Sequence, residues 1–354
     1  MLESVEIENF RCIRHARLEF DPRATAVFGE NAAGKTSVLE AIFFLSAGRS
    51  FRTTSREHLL AQGADFFRIV ARGQTESGSV TLGAEWRDGS THLRFGGRPV
   101  RSSSEMAAAL PLQVIDPGVH RVIEEGSSLR RRLLDWGVFH VKHEFMPAWR
   151  RYQRALEQRN AALRSGSSLR DAMVWDVELA SAGTVVGRAR GEYLDVLRPY
   201  FEEISRELFT EAVDFEYWPG WSAEYSLGEA LQAAGGRDAK VRFTSVGAHR
   251  ADLRFKLAGL SARNRVSRGE QKMLAMAFIL AQIRCLSGVG GARTTLLLDD
   301  PAAELDVDNL GKLLRILDFL PCQLIVTAVN RESLQGLSLG HMFHVKQGVF
   351  HAML

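Results

Sequence analysis

The sequence predicts a mixed α/β fold in which both ends of the chain build one lobe and a helical lobe is inserted between them. Three observations carry this. A short apolar strand at 24–28 runs into a glycine-rich turn and then into a helical pattern from Thr36 to Leu45. From about Gly118 to Ala234 the pattern is mostly helical, rich in Arg, Glu, Ala and Leu. Beyond Gly235-Gly236 the chain turns strand-like again, with apolar strands at 295–298 and 324–327. The expected division is therefore 1–117 with 236–354 for the α/β lobe, and 118–235 for the helical lobe.

Each element has a local reason. Residues 2–8 alternate apolar and polar, as a half-buried strand does. Val38, Leu39, Ile42, Phe43 and Leu45 give the 36–45 helix its apolar face. Three alternating runs at 67–72, 80–86 and 92–95, broken at Glu76-Ser77-Gly78 and Asp88-Gly89, read as an antiparallel meander. Residues 150–163 and 189–209 are the longest amphipathic helical stretches. Residues 241–244 and 253–257 read as strands, and 270–286 as a strongly apolar helix.

With 354 residues and 45% hydrophobic content, the chain can bury a large core in two lobes. A net charge of +3 and a pI near 8.8 argue only mildly for a polyanionic partner, so local clustering must carry that case. Cys12, Cys285 and Cys322 are far apart, lack metal-ligand spacing and suit a reducing cytoplasm, where ordinary buried or semi-buried thiols are expected. Glu3, Glu6 and Glu8 exclude a secretory signal at the start. No window approaches the roughly 20 apolar residues of a membrane helix. A soluble, cytoplasmic protein without a membrane partner is expected.

Three motifs carry the chemistry. The first, Gly29-Glu30-Asn31-Ala32-Ala33-Gly34-Lys35-Thr36, is a phosphate-binding loop in its proper setting, strand before and helix after. Its glycines let the backbone wrap phosphates, and the N–H groups at the helix start point at them. Lys35 is placed to neutralise β- and γ-phosphate charge, and the Thr36 hydroxyl to ligate Mg²⁺. The second motif is the apolar strand ending in Asp299-Asp300. Asp299 belongs beside the Mg²⁺, and Asp300 can orient the attacking water as a general base, with Glu304 the next candidate. The third, Ser267-Arg268-Gly269-Glu270-Gln271-Lys272, directly precedes a helix and forms a second anion site. Alone it is an ordinary helix start. Together with the other two it reads as the signature of an ABC-ATPase-like head, reaching ATP bound to another copy through Ser267, Gly269 and Gln271.

At this point the chain resembles the bacterial RecF family, recombination mediators related to the heads of SMC proteins. The resemblance rests on Ile7-Glu8-Asn9-Phe10-Arg11, the loop from Gly29 to Thr36, Leu298-Asp299-Asp300 and Glu304-Leu305-Asp306. It also rests on residues 48–52, Arg130-Arg131, residues 134–140 and Gly247-Ala248-His249-Arg250-Ala251-Asp252-Leu253. It spans essentially the whole chain and leaves no room for a long coiled coil. It implies ATP and Mg²⁺ as ligands, with Arg11 and Ser37 added to the nucleotide contacts, and a weak DNA-stimulated ATPase. It also implies an ATP-dependent head-to-tail homodimer on double-stranded DNA and at junctions of single- and double-stranded DNA. RecO and RecR would be its partners in loading RecA during recombinational repair, replication and the SOS response.

The chain departs from the family pattern at Ala32-Ala33, which should leave the loop backbone intact, at Arg268 and Glu270, and at Ala248, where proline is usual. Ala328 stands where a γ-phosphate-sensing histidine is common, and Gln113 and Asp116 both remain candidates for the glutamine-loop residue. Arg130-Arg131-Arg132 fits a solvated helix face, a structural pairing set or a DNA contact. Arg49, Arg52, Arg150, Arg151 and Arg154 are further candidates for phosphate contacts by the same electrostatic logic, and the sequence does not choose among them. Trp149, Trp175, Trp218 and Trp221 read as core. Two rival readings are the ATPase subunit of an ABC transporter, opposed by Asn9-Phe10-Arg11, and an SMC-type structural head, opposed by the missing coiled coil.

Overall fold

The computed structural model describes residues 1–75, 78–100, 102–165, 169–291 and 293–353. The chain divides into two compact units, 1–119 with 286–354, and 120–285.

The first unit opens with strands β1 (Leu2–Phe10), β2 (Ile13–Glu19) and β3 (Ala24–Phe28), and helix α1 (Lys35–Ala47). The meander follows as β4 (Phe66–Thr75), β5 (Gly78–Arg87), β6 (Ser90–Phe95) and β7 (Arg98–Val100), then α2 (Ser103–Ala109) and β8 (Leu112–Ile115). Strands β1 to β7, without β3, form an antiparallel sheet ordered β2-β1-β4-β5-β6-β7. The alternating sequence there buries one face, as expected of such a sheet. The turn expected at Glu76-Ser77-Gly78 falls mostly on residues outside those described.

The second unit comprises α3 (Arg121–Glu124), α4 (Ser127–Val141), α5 (Phe145–Ser165), α6 (Leu169–Met173), α7 (Asp176–Leu208), β9 (Val213–Trp218), α8 (Leu227–Val241), β10 (Asp252–Leu257), β11 (Leu260–Ser261), α9 (Ala262–Arg265) and α10 (Arg268–Gly290). A small antiparallel sheet, β11-β10-β9, lies in it. Phe201, Phe215, Phe255 and Phe278 pack together, four pairs edge to face at 5.2–5.9 Å between centroids and Phe201 tilted against Phe255 at 6.3 Å. Gly183 on α7 lets neighbours close in: a Cβ there would lie 2.5 Å from Leu227 and 2.8 Å from Tyr152.

The chain then returns to the first unit with β12 (Thr294–Leu298), α11 (Pro301–Glu304), α12 (Val307–Phe319), β13 (Cys322–Ala328), β14 (His341–Lys346) and β15 (Val349–Met353). These complete a sheet ordered β15-β14-β3-β13-β12-β8, parallel except for β15. Continuous apolar runs suit strands covered on both faces, and β3, β12 and β13 are buried at every position. Helix α1 joins this core with Val38, Leu39, Ile42 and Phe44, against Phe67, Ile69, Leu297 and Ile325. Phe67 ties Phe10, Phe44 and Trp86 together at 5.2–6.1 Å.

Four expectations need correction. The second domain crossing lies at 285/286, because β10 pairs with β9 and α10 brings Phe278 into the helical unit's aromatic cluster. Residues 241–244 are the end of α8 and a turn, with Arg242 in the left-handed region at φ 60°. Helix α10 is in fact long and apolar enough to cross a membrane, but 72% of its apolar window is buried, as in a core helix. The four tryptophans are not core: Trp218 is 39% exposed, and the other three are half-buried. Long apolar runs and aromatics mark burial only on average, and neighbours decide the individual case.

Candidate functional site

Strand β3 delivers the chain from the middle of the parallel sheet into the loop Gly29–Gly34. A Cβ on Gly29 would fall 2.4 Å from the Val345 carbonyl oxygen. Gly34 has φ 116° and closes the loop against Cys12, whose sulfur would lie 3.0 Å from an added Cβ. Ala32 takes φ 63°. The loop keeps its shape there at a strain of about 1 kcal/mol that glycine would avoid.

The Lys35 ammonium is buried and donates to the Gly29 and Glu30 carbonyls at 2.7 and 3.0 Å. The Thr36 hydroxyl lies 2.9 and 3.0 Å from the two carboxylate oxygens of Asp299. Asp299 is 6% exposed, and Thr327 at the end of β13 donates its hydroxyl to Asp299 Oδ1 at 2.7 Å. The same Thr327 oxygen accepts the Asp300 N–H at 3.0 Å. One hydroxyl therefore orients both acidic residues. Asp300 itself is held at φ 44°, a strained setting for a residue with a side chain. Burial pushes its carboxyl above the usual range, the nearby carboxylates of Asp299 and Glu304 add to this, and Lys35 opposes it.

These residues surround a cleft of about 630 Å³ lined by Arg11, Cys12, Asn31, Ala32, Gly34, Lys35, Thr36, Ser37, Arg52, Leu60, Pro117, Asp299, Asp300, Ala303 and Glu304. Its size suits a nucleotide-class ligand. Thr36 and Asp299 offer hard oxygens, the donor set Mg²⁺ prefers. Among the described residues no group of three or more His, Cys, Asp or Glu is arranged for a metal. Mg²⁺ needs no such cage, because it keeps waters and phosphate oxygens as ligands.

Arg11 lines the cleft with most of its donors committed. It grips Glu40 through Nε and Nη2 at 2.9 and 2.8 Å and gives Nη1 to the His58 carbonyl at 2.7 Å. Glu40 is fully buried on α1 and also accepts from the Ser50 hydroxyl, which caps the N–H groups of Arg52 and Thr53. Glu40 and Thr327 were missed in the sequence. The signal for Glu40 was a charged residue inside the apolar run of α1. Of the two glutamine-loop candidates, Gln113 is buried within β8, and Asp116 is half-buried beside Pro117, which lines the cleft. Cys285 and Cys322 are buried, whereas Cys12 is exposed at the cleft.

In the second unit, Ser267, Arg268, Gly269 and Glu270 are exposed at the start of α10. The Glu270 carboxylate accepts both the N–H and the hydroxyl of Ser267 at 2.7 Å, a reciprocal cap on the helix. Both donors of Ser267 are thus committed to a carboxylate of the same helix. Gln271 is buried, with Nε2 toward the Val266 carbonyl, so its side chain is not presented outward. Arg130 is no solvated face. It is buried, pairs with Asp252 at 2.8 Å and donates to three carbonyls. Arg131 holds the Ala251 carbonyl at 2.7 Å, while Arg132 is exposed. Arg190 donates to the Ala248 carbonyl at 2.7 Å. Tyr152 and His249 share a 2.7 Å hydrogen bond, and burial pulls His249 down to about 4, so the ring is neutral. The 247–253 motif is a structural hub.

The profile of the RecF/RecN/SMC N terminal domain matches residues 1–351. The DNA replication and repair protein RecF of Thioalkalivibrio sulfidiphilus is 40% identical over 353 residues, 98% of each chain. The chain belongs to the RecF family. The protein of the same description from Pseudomonas putida strain F1 is 36% identical over 98% of this chain and 97% of that one. Among solved structures, a recombination mediator protein RecF-ATP in the RecFOR pathway superimposes with TM-score 0.89 at 24% identity, covering 100% of this chain and 97% of that one. An Smc head bound to the C-winged helix domain of ScpA gives 0.62 at 16% identity, over 99% and 97%. The fold is that of RecF and SMC heads, with a mixed α/β architecture and, among the described residues, no long coiled coil.

Proposed function

We propose that the chain binds Mg·ATP in the cleft, hydrolyses it slowly, and works as an ATP-dependent DNA-binding protein of recombinational repair in the cytoplasm. The observation that carries this reading is the Thr36 hydroxyl set against the Asp299 carboxylate at the mouth of a formed phosphate loop. Lys35, the loop amides and the start of α1 would hold the phosphates, with Ser37 and Asn31 at the rim. Thr36 and Asp299 would hold the Mg²⁺, which when bound neutralises developing phosphate charge. Asp300 would orient the attacking water, its raised pKa making it a better proton acceptor than an ordinary carboxylate. The RecF-ATP structure and the RecF relatives support the nucleotide and the repair setting.

ATP would assemble two protomers head to tail, each nucleotide held between one copy's Lys35 and Thr36 and its partner's Ser267 and Gly269. The γ-phosphate would take the donors of Ser267 that Glu270 now satisfies. Such a dimer would clamp duplex DNA near single-strand gaps and help load RecA with RecO and RecR. Sedimentation with ATP should show dimers, and Ser267→Arg should abolish them while leaving nucleotide affinity within about twofold, since exposed substitutions of this kind rarely disturb a fold. A variant that dimerises like its parent would exclude the trans contact.

Thr327→Val tests the supporting shell. It keeps the shape and removes the hydroxyl that bonds both acidic residues, so ATP turnover should fall roughly 10- to 100-fold. Unchanged turnover would show that the backbone alone fixes Asp299 and Asp300.

A further inference from the structure

The end of α8 and the turn after it carry exposed groups that neither the cleft nor the core uses. The charged residues between 236 and 251 are Arg237, Asp238, Lys240, Arg242 and Arg250. Asp238 is fully buried and paired with Arg159 at 2.8 Å. The surface charge of the segment is therefore all positive. Within it stand Val241 and Phe243, 43% and 42% exposed. The Arg250 guanidinium lies 5.0 Å from the centre of the Phe243 ring and backs it.

The backbone beneath this display is pinned by hydrogen bonds. Arg242 turns the chain at φ 60° and donates its N–H to the Asp238 carbonyl at 2.8 Å. Thr244, the next residue after Phe243, is fixed by Asn160 Oδ1 and by the buried Arg159. Ser245 is bonded by Arg237 at 2.9 Å. Cations in a last helical turn gain from the helix dipole, which accounts for Lys240 and Arg242. It does not account for an exposed phenyl ring backed by an arginine.

We propose that this patch binds the single-stranded arm of a DNA junction, with Arg237, Lys240 and Arg242 on phosphates and Phe243 stacked on an unpaired base. The proposal rests on the DNA-binding reading above and gives it a surface. Phosphates account for the cations. A free aromatic face fits an unpaired base, which a continuous duplex does not offer. An acidic protein surface would use the cations and leave the ring unexplained.

The test uses the full chain with Mg·ATP and three DNAs: a duplex, a single strand, and a duplex with a single-stranded tail carrying 2-aminopurine beside the junction. Failure of the parent protein to bind any of them would sink the DNA reading itself. With the parent binding the tailed duplex, Phe243→Ala should weaken tailed and single-stranded DNA about tenfold, leave the duplex within about twofold and abolish the change in 2-aminopurine emission. Phe243→Tyr should retain all three. Arg242→Gln should weaken tailed and single-stranded DNA and flatten their salt dependence. Parental behaviour of Phe243→Ala on the tailed duplex overturns the proposal. So does an equal loss on all three DNAs, or a loss of self-association with DNA binding intact, which would make the patch a protein-docking face.

Discussion

Asp300→Asn should retain Mg·ATP and persist as a long-lived DNA-bound dimer while hydrolysing ATP about 10²-fold or more slowly. The substitution removes a proton acceptor and leaves the Thr36–Asp299 pair and the loop untouched. Asp299→Asn should behave differently. It replaces a buried carboxylate, held by two hydroxyls, with an amide, so metal-dependent nucleotide binding should weaken first. The pH profile adds a second criterion. Asp300 works as a base only above its pKa, and burial raises that pKa, so parental turnover should fall on acidification at a higher pH than an ordinary carboxylate would dictate. The limb should vanish in Asp300→Asn. Nucleotide affinity, turnover and dimer lifetime in the two variants decide the matter. Parental turnover by Asp300→Asn would move the base elsewhere, Glu304 at the cleft being next.

What the sequence reveals here divides along physical lines. The phosphate loop and the acidic strand are local patterns whose geometry follows from chain order, and Thr36 meets Asp299 because β3, β13 and β12 are neighbours in one parallel sheet. The contributions of Glu40 and Thr327 depend on which elements meet in space. Arg11, Ser50 and Arg52 converge on Glu40 only after α1 packs behind the β1–β2 turn. Arg130 looked like a charge run because its partner, Asp252, lies far along the chain. The boundary at 285 was hidden for the same reason: β10 and α10 read as ordinary α/β elements, and only their pairing with β9 and the phenylalanine cluster assigns them to the helical unit.

Arg159→Met should cost the helical unit about 3–5 kcal/mol, a large part of the stability of a typical domain. Arg159 is fully buried and joins four elements of that unit. From α5 it donates to Asp176 at the start of α7 at 2.6 Å, to Asp238 on α8 at 2.8 Å and to Thr244 in the following turn at 2.9 Å. Removing the cation leaves two carboxylates in a low-dielectric interior with the attraction gone and the desolvation still in force. Methionine fills much of the volume, so the loss reports charge rather than a cavity. Thermal unfolding should shift by about 10 °C for a unit of this size. The control is the triple variant Arg159→Met, Asp176→Leu, Asp238→Leu. Replacing every charge by apolar groups of similar size removes the uncompensated ions, and buried ion sets replaced in this way often lose nothing. Most of the lost stability should therefore return, less the bonds that Asp238 makes to Ser245. A triple variant as unstable as the single one would mean that Arg159 acts through its shape and its bond to Thr244, and that the ionic network contributes little.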